Sequence, residues 1–441
     1  MTTLSVREYV LGIYRKLGLD EHQVCKMQTG GPDGDLGSNE ILLGHEKYTA
    51  IVDGAGVLVD PQGLDRTELL RLAKERLMIS HYDVSKLSEQ GYRVLVEDTQ
   101  VKLPSGEIVN NGTSFRNTFH LRGEKYDLFV PCGGRPESID LTTASKLIVD
   151  GKCTIPYIVE GANLFITQDA KLRLEKAGCV LFKDASANKG GVTSSSLEVL
   201  ASLSFDDEGF LEHMCVKGDG TPPAFYQDYV KEVQSIIKNN ARLEFEAIWR
   251  EHEATGVARS ILSDRLSTSI TTLDEELQNT ELWDNVELRK SVLKDALPAL
   301  LLEKIGLETI LGRVSRRLSL CTVACIESRP LANHTIFAGS GELSARHLRQ
   351  LPLITLHLRA RHFRQPICFL LIVSTGLEIP DFGRDQILTH IKHEPAYGQA
   401  AIVVGAGGPR GVWNVTPEMG CNMGCHTGRG NAAFLKSRRG K

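Results

Sequence analysis

Apolar residues recur at helical spacing at the start of the chain, where Val6, Tyr9, Val10, Ile13 and Leu17 share one face of a helix predicted over residues 4–17. The period then changes. Short apolar runs of strand length follow at 24–28 (VCKMQ), 48–53 (YTAIVD), 126–131 (YDLFVP), 156–161 (PYIVEG) and 179–184 (CVLFKD), most of them trailed by a helix candidate. Strands alternating with helices predict an α/β fold, a doubly wound, mostly parallel sheet of Rossmann type covered on both faces. Residues 91–111 break the alternation, because two alternating runs flank the turn signal Pro104-Ser105-Gly106, and this predicts an inserted hairpin.

Helical spacing returns after residue 205. Tyr226, Tyr229, Val230, Val233, Ile236, Ile237, Phe245 and Ile248 fall near one face, and a second pattern runs from Ser267 to Ile310. Faces of this kind are more often core than cofactor contacts. The expected organisation is an α/β unit over 1–204, a helical segment over 205–314, and a tail over 315–441 with little regular structure.

The glycine-rich stretch QTGGPDGDLGSNEI at 28–41 sits between a strand and a helix predicted to open near Leu36. Backbone N–H groups and the positive end of that helix dipole would face a pyrophosphate there. Gly34 and Gly37 match the last two glycines of the G-x-G-x-x-G fingerprint, whereas Pro32 stands where the first belongs, leaving the tight turn to Gly30 and Gly31. Asp53 follows Gly34 by nineteen residues, at the end of the next strand. An acid in that place accepts hydrogen bonds from adenosine ribose hydroxyls and repels a 2′-phosphate, so NAD is expected over NADP. The alternative is a glycine loop with a chance acid beyond it. A second glycine run, AIVVGAGGPRGVW at 401–413, has neither a following helix nor a suitably spaced acid, and is read as a decoy.

Charge divides the chain in two. Residues 315–441 hold 16 Lys and Arg against 7 Asp and Glu, which leaves +9 on the tail and −13 on residues 1–314. Three readings of the tail compete: a basic nucleic-acid arm, a metal site built from CTVAC at 321–325 and CNMGCH at 421–426, or a stretch with little evolved structure, as from an altered reading frame or a retained intron. The third is favoured, because arginine without interleaved aromatics gives only nonspecific phosphate attraction, and C-x-x-x-C pairs almost a hundred residues apart are weak zinc signals. No metal and no nucleic-acid partner are therefore expected. The ten cysteines are sparse and read as reduced thiols. No apolar run reaches transmembrane length, and the N-terminus is unlike a signal or transit peptide, so no membrane partner and a cytoplasmic location are expected, with a mitochondrial one as alternative.

PCGGRP at 131–136, VEGANLF at 159–165 and DASANKGGVTSSSLEVL at 184–200 fall at strand ends of the same sheet, where doubly wound folds bind ligands. Ordinary turn chemistry and a helix cap would account for any one of them. With KMQTGGPDGDLGSNEILL and GTSFRNTFH, the longer stretches FVPCGGRP, IPYIVEGANLFIT and LFKDASANKGGVTSSSLEVLASL closely resemble the large, fungal-type NAD-specific glutamate dehydrogenases, over about residues 1–313. The resemblance implies NAD as cofactor and L-glutamate and 2-oxoglutarate as substrate and product. It implies that Gly34 and Gly37 line the pyrophosphate, Asp53 the adenosine ribose, and Asn163 and Asn188 the nicotinamide end. Ser195 would reach the distal carboxylate of glutamate, with Val192 packed on its carbon chain. Lys189 occupies a variable position of that motif, which implies a structural or solvated lysine rather than a base. The resemblance also implies a homo-oligomer, and a cleft whose opening is set by the helices of 205–314. In the family, the residues for proton transfer and for the α-carboxylate lie in a domain preceding the dinucleotide-binding one, so no catalytic residue is assigned here. The expectation is a chain with half an active site, inactive alone; the alternative is a non-catalytic, regulatory NAD-binding fragment.

Overall fold

In the computed structural model of the chain, the described residues are 1–122, 126–278 and 286–313. The basic tail from 315, its two cysteine pairs and the glycine run at 401–413 lie outside them.

The first helix, α1 (Thr2–Leu17), buries Val6, Tyr9, Val10 and Ile13 completely. Leu17 departs from the expected face and is 42% exposed, because it lies in the last turn before Gly18, which ends the helix in a left-handed conformation. The strands are β1 (Cys25–Thr29), β2 (Lys47–Val52), β3 (Gly56–Val59), β4 (Tyr92–Leu95), β5 (Val101–Lys102), β6 (Ile108–Val109), β7 (Leu128–Pro131), β8 (Ile148–Val149), β9 (Lys152–Cys153), β10 (Tyr157–Val159) and β11 (Val180–Phe182). Seven form one sheet in the order β11-β10-β7-β1-β2-β3-β4. The first five in that order pair in parallel, and β3 and β4 extend the edge antiparallel. Only three residues, 53–55, join β2 to β3, too few for a crossover, so β3 must return antiparallel.

The expected hairpin over 91–111 is smaller than the pattern suggested. Tyr92–Leu95 joins the main sheet against β3, and only β5 and β6 pair around Pro104-Ser105-Gly106. The alternating run at 92–95 reads the same in an edge strand as in a hairpin, because both leave one face covered.

The remaining helices are α2 (Asp35–Leu43), α3 (Arg66–Glu75), α4 (Gly112–Thr118), α5 (Gln168–Lys176), α6 (Asp184–Ala187), α7 (Gly190–Ser204), α8 (Asp207–His213), α9 (Ala224–Thr255), α10 (Arg259–Gln278), α11 (Val286–Ala296), α12 (Ala299–Ile305) and α13 (Leu307–Arg313). Successive strand residues face opposite cores. Leu128 and Val130 pack with α1 and with Phe245 and Ile248 of α9, while Phe129 between them packs with Met27, Ile158 and Phe165 on the other face. Ile51 of β2 and Leu58 of β3 pack with Ile41, Leu69 and Leu72 of α2 and α3.

Between α1, β1 and α2 lies a buried cluster of charges. Lys26 Nζ donates to Glu40 Oε1 at 2.6 Å and lies 3.5 Å from Glu46 Oε2, and all three side chains are fully enclosed. Arg7 of α1 donates to Glu40 at 3.1 Å, to Glu21 at 2.5 Å and to Glu46, while Tyr14 donates to Glu46 at 2.9 Å. Burial alone would raise the Glu46 carboxyl, but Lys26 and then Arg7 outweigh it and hold it at about 2.

Removing one partner of such a set leaves a buried charge uncompensated, so Glu46→Ala is expected to cost about 3–5 kcal/mol in urea denaturation at pH 7. The Glu46 pKa falls on folding, so its contribution is present above about pH 4.5 and is lost as pH falls toward 2. A variant as stable as the parent at pH 7 would show that the cluster contributes nothing net.

Candidate functional site

The turn between β1 and α2 is shaped by three glycines with different tasks. Gly30 takes φ +84° and donates its N–H to Val52 O at 2.8 Å, tying the turn to the end of β2. It supplies the tight turn that Pro32 cannot. Gly37 lies inside α2, where a Cβ would stand 2.3 Å from Gly31 O and 2.5 Å from Gly30 O, so only glycine lets the helix approach the turn. Gly34 is the residue before α2, and a Cβ on it would meet nothing closer than Gly31 O at 3.6 Å. The open side of Gly34 therefore adjoins the free N–H groups of the α2 N-terminus, the arrangement an anion uses.

Gln28, completely buried at the end of β1, holds this turn from below. Its amide donates to Gly30 O at 2.8 Å and to Gly37 O at 3.2 Å. Nothing in the glycine spacing points to it; a carboxamide inside an apolar strand was the available signal.

Asp53 follows β2 and lies against Gly31, where a Cβ would come within 2.5 Å of its carboxylate. One carboxylate oxygen accepts from Ala55 N at 2.8 Å and Gly56 N at 3.3 Å, and the other from Ile79 N at 2.8 Å. Burial, with a smaller contribution from the charge of Asp33, pushes this carboxyl up to about 6 against those N–H donors. Asp53 thus organises the β2–β3 turn as well as standing beside the glycine turn.

The ends of β10 and β11 bring Asn163 and Asn188 together. Asn188 Nδ2 donates to Asn163 Oδ1 at 2.6 Å and to Gly161 O at 3.1 Å. Beneath them Glu160, fully buried, accepts from Ile166 N at 2.9 Å and Asp184 N at 3.2 Å, and pairs with Lys171 at 3.0 Å. Asp184 accepts from Leu164 N at 2.8 Å, and Lys171 donates to Ile166 O. Burial, eased by Lys171 and reinforced by Asp184, pushes the Glu160 carboxyl up to about 7. This acid, lysine and acid fix the loop that carries Asn163. Sequence reasoning quoted Glu160 inside its motif without giving it a role; an acid in an otherwise apolar strand was the signal.

Val192 and Ser195 lie one turn apart in α7, three residues after one another and therefore on neighbouring positions of the same face. Val192 is 47% exposed, unusual for a valine in a helix flanked by cores, and Ser195 is half-buried. The paired glycines of ANKGGVT serve packing: a Cβ on Gly190 would stand 2.7 Å from Met1 O, and one on Gly191 2.6 Å from Thr2 Oγ1. Lys189 pairs with Glu244 of α9 at 2.7 Å, which makes it structural. Lys183 pairs with Asp264 at 2.8 Å.

Residues 1–256 match the family model of the glutamate/leucine/phenylalanine/valine dehydrogenases, and the chain belongs to that family of oxidoreductases. It is 72% identical over 315 residues to the NAD-specific glutamate dehydrogenase of Neurospora crassa, an alignment covering 71% of this chain and 30% of that protein. It is 62% identical over 317 residues to the probable NAD-specific glutamate dehydrogenase of Schizosaccharomyces pombe, covering 71% and 28%. The chain thus spans about a third or less of the length of these curated relatives. Among solved structures, a Plasmodium falciparum glutamate dehydrogenase aligns with a TM-score of 0.40 at 17% identity, over 59% of this chain and 47% of that one.

The different tasks of the glycines predict different costs. Gly37→Ala drives a methyl into two carbonyl oxygens and is expected to lose about 3 kcal/mol of stability. Gly34→Ala, with open space around it, is expected to lose no more than about 1 kcal/mol. Urea titration of both variants checks this, and equal losses would contradict the assignment.

Proposed function

We propose that this chain carries the dinucleotide-binding half of an NAD-dependent glutamate dehydrogenase, whose reaction converts L-glutamate and NAD to 2-oxoglutarate, ammonium and NADH. The observation that carries the reading is the open Gly34 face at the α2 N-terminus, with Asp53 packed on Gly31 beside it. The high overall identity of the fungal relatives, named as NAD-specific, supports the same cofactor.

In this reading the N–H groups at the start of α2 hold the pyrophosphate, and the Asp53 carboxylate accepts from the adenosine ribose hydroxyls. Asn163 and Asn188, locked together by their own hydrogen bond, orient the nicotinamide ribose and carboxamide. NAD supplies the hydride acceptor when bound. Ser195 donates to the distal carboxylate of the substrate, and Val192 covers its methylenes and keeps water from them. In this division of labour residues 1–204 bind the cofactor and residues 205–314 brace the cleft.

A second reading, a non-catalytic NAD-binding fragment, is favoured by one observation. Three lysines on the elements that follow β10 and β11, Lys171, Lys183 and Lys189, are each committed to a carboxylate. None of these three lysines is left to act as a base or to grip an α-carboxylate.

Two expected outcomes follow from the cofactor assignment. NAD should bind more tightly than NADP by calorimetry. Its affinity should also fall as pH drops through about 6, because a protonated Asp53 can no longer accept from both ribose hydroxyls. Asp53→Asn should flatten that pH profile, and a profile unchanged by this substitution would remove Asp53 from the site.

Turnover separates the two readings. The chain purified free of host dehydrogenase should bind NAD and yet produce no NADH with saturating glutamate. One neutral hydrogen bond from Ser195 is worth about 1 kcal/mol, and absent acid–base groups cost about 10²- to 10⁴-fold. NADH formation on the order of 10 per second would show that residues 1–314 hold a complete site.

A further inference from the structure

The motif GTSFRNTFH has no role in the site built above. It forms α4, capped by Asn111, whose side chain accepts from Ser114 N at 2.7 Å. Gly112 lets α4 press on the end of β4, since a Cβ there would lie 1.8 Å from Leu95 O. Phe115 turns into the core, in contact with Phe119 and Tyr92 at ring separations of 5.5 and 6.5 Å. The next residue, Arg116, lies about 100° further round the helix and reaches the turn that follows β2.

There Arg116 donates to Gly54 O at 3.5 Å, a long contact one residue beyond Asp53, and to Asn117 Oδ1 at 2.8 Å. Its Nε is enclosed with no partner. Arg122, which lies over the Phe115 ring on the same side, is neutralised by Glu107 at 2.5 Å. Arg116 has no carboxylate partner among the described residues. A guanidinium with unused donors beside the ribose-binding acid is a group suited to a phosphate monoester.

Resting on the reading of this turn as a dinucleotide site, we propose that Arg116 is a specificity-determining residue that contacts the 2′-phosphate of NADP, so that discrimination between the two dinucleotides is the balance of Asp53 against Arg116. Asp53 repels the third phosphate through its charge. Arg116, reaching the same turn from α4, attracts it and offers two parallel donors. The site is then one acid away from accepting NADP, because the cation that acceptance requires is already in place.

The test measures NAD, NADP and adenosine 2′,5′-bisphosphate binding to the full chain by calorimetry, for the parent, Arg116→Gln, Asp53→Asn and the double variant, each checked for folding by circular dichroism. Arg116→Gln is expected to lower the NADP-to-NAD affinity ratio about tenfold, the scale of one charge-assisted hydrogen bond. Asp53→Asn should raise that ratio, and adding Arg116→Gln should reverse most of the gain for NADP and for the bisphosphate alike. An Arg116→Gln effect equal on NAD and NADP, or a gain in Asp53→Asn that survives in the double variant, would overturn the proposal. If Asp53→Asn fails to fold, the bisphosphate measured on the parent and on Arg116→Gln decides alone. Loss of both dinucleotides from the parent would instead overturn the underlying site, and the proposal with it.

Discussion

The cluster of Arg7, Lys26, Glu40 and Glu46 is the constraint on which the site depends, because it sets where α2 begins. Glu40 stands in the last turn of α2, Lys26 in β1, Glu46 just before β2 and Arg7 in α1, so these elements meet at two cations and two anions. Four enclosed charges, with Glu21 on the more exposed edge as a further partner of Arg7, tolerate few arrangements, since a shift leaves one without its counter-ion in a medium of low polarity. With the C-terminal part of α2 held this way, its N-terminus falls where Gly34 and Gly37 meet the β1 turn. Gln28 then fixes the turn itself. The open N-terminal end of the helix is positioned by charges at its other end.

At the opposite side of the sheet the same device recurs on a smaller scale. Glu160, Lys171 and Asp184 are a buried acid, base and acid whose spare hydrogen-bonding capacity is spent on the N–H and C=O groups of residues 164–166 and 184. A loop with no regular structure gains a fixed shape from this, and Asn163 meets Asn188 at hydrogen-bond distance as a result. In both places buried charges hold a loop at the strand ends in one shape.

Much of this was legible in the sequence. The five parallel strands fall within two residues of the apolar runs that announced them, since buried parallel strands must be continuously apolar. The glycine turn and the helix after it were readable because Gly30 and Gly37 leave no room for a side chain there. What escaped has physical reasons. β3 is four residues of GVLV attached to β2 by three, too short to separate from its neighbour by pattern. The antiparallel place of Tyr92–Leu95 depends on its partner, which no local signal names. Glu40, Glu46 and Lys171 look like surface residues until the fold encloses them. Gly190 and Gly191, inside the motif most suggestive of a ligand, owe at least part of their identity to the close packing of α7 on α1.

The helix α9 has a consequence of another kind. It runs for 32 residues, about 48 Å, and its two ends serve different interiors. Phe245, Ile248 and Trp249 help cover the sheet with α1, while Tyr229, Val233 and Ile237 pack with α7 and with Leu293, Leu301 and Ile310. One continuous helix is thus a wall of two cores, and neither can melt without fraying a helix the other needs. The amides near its middle are protected by both interiors at once, and their exchange with solvent becomes a clock for the cooperative opening of the whole assembly of helices and sheet.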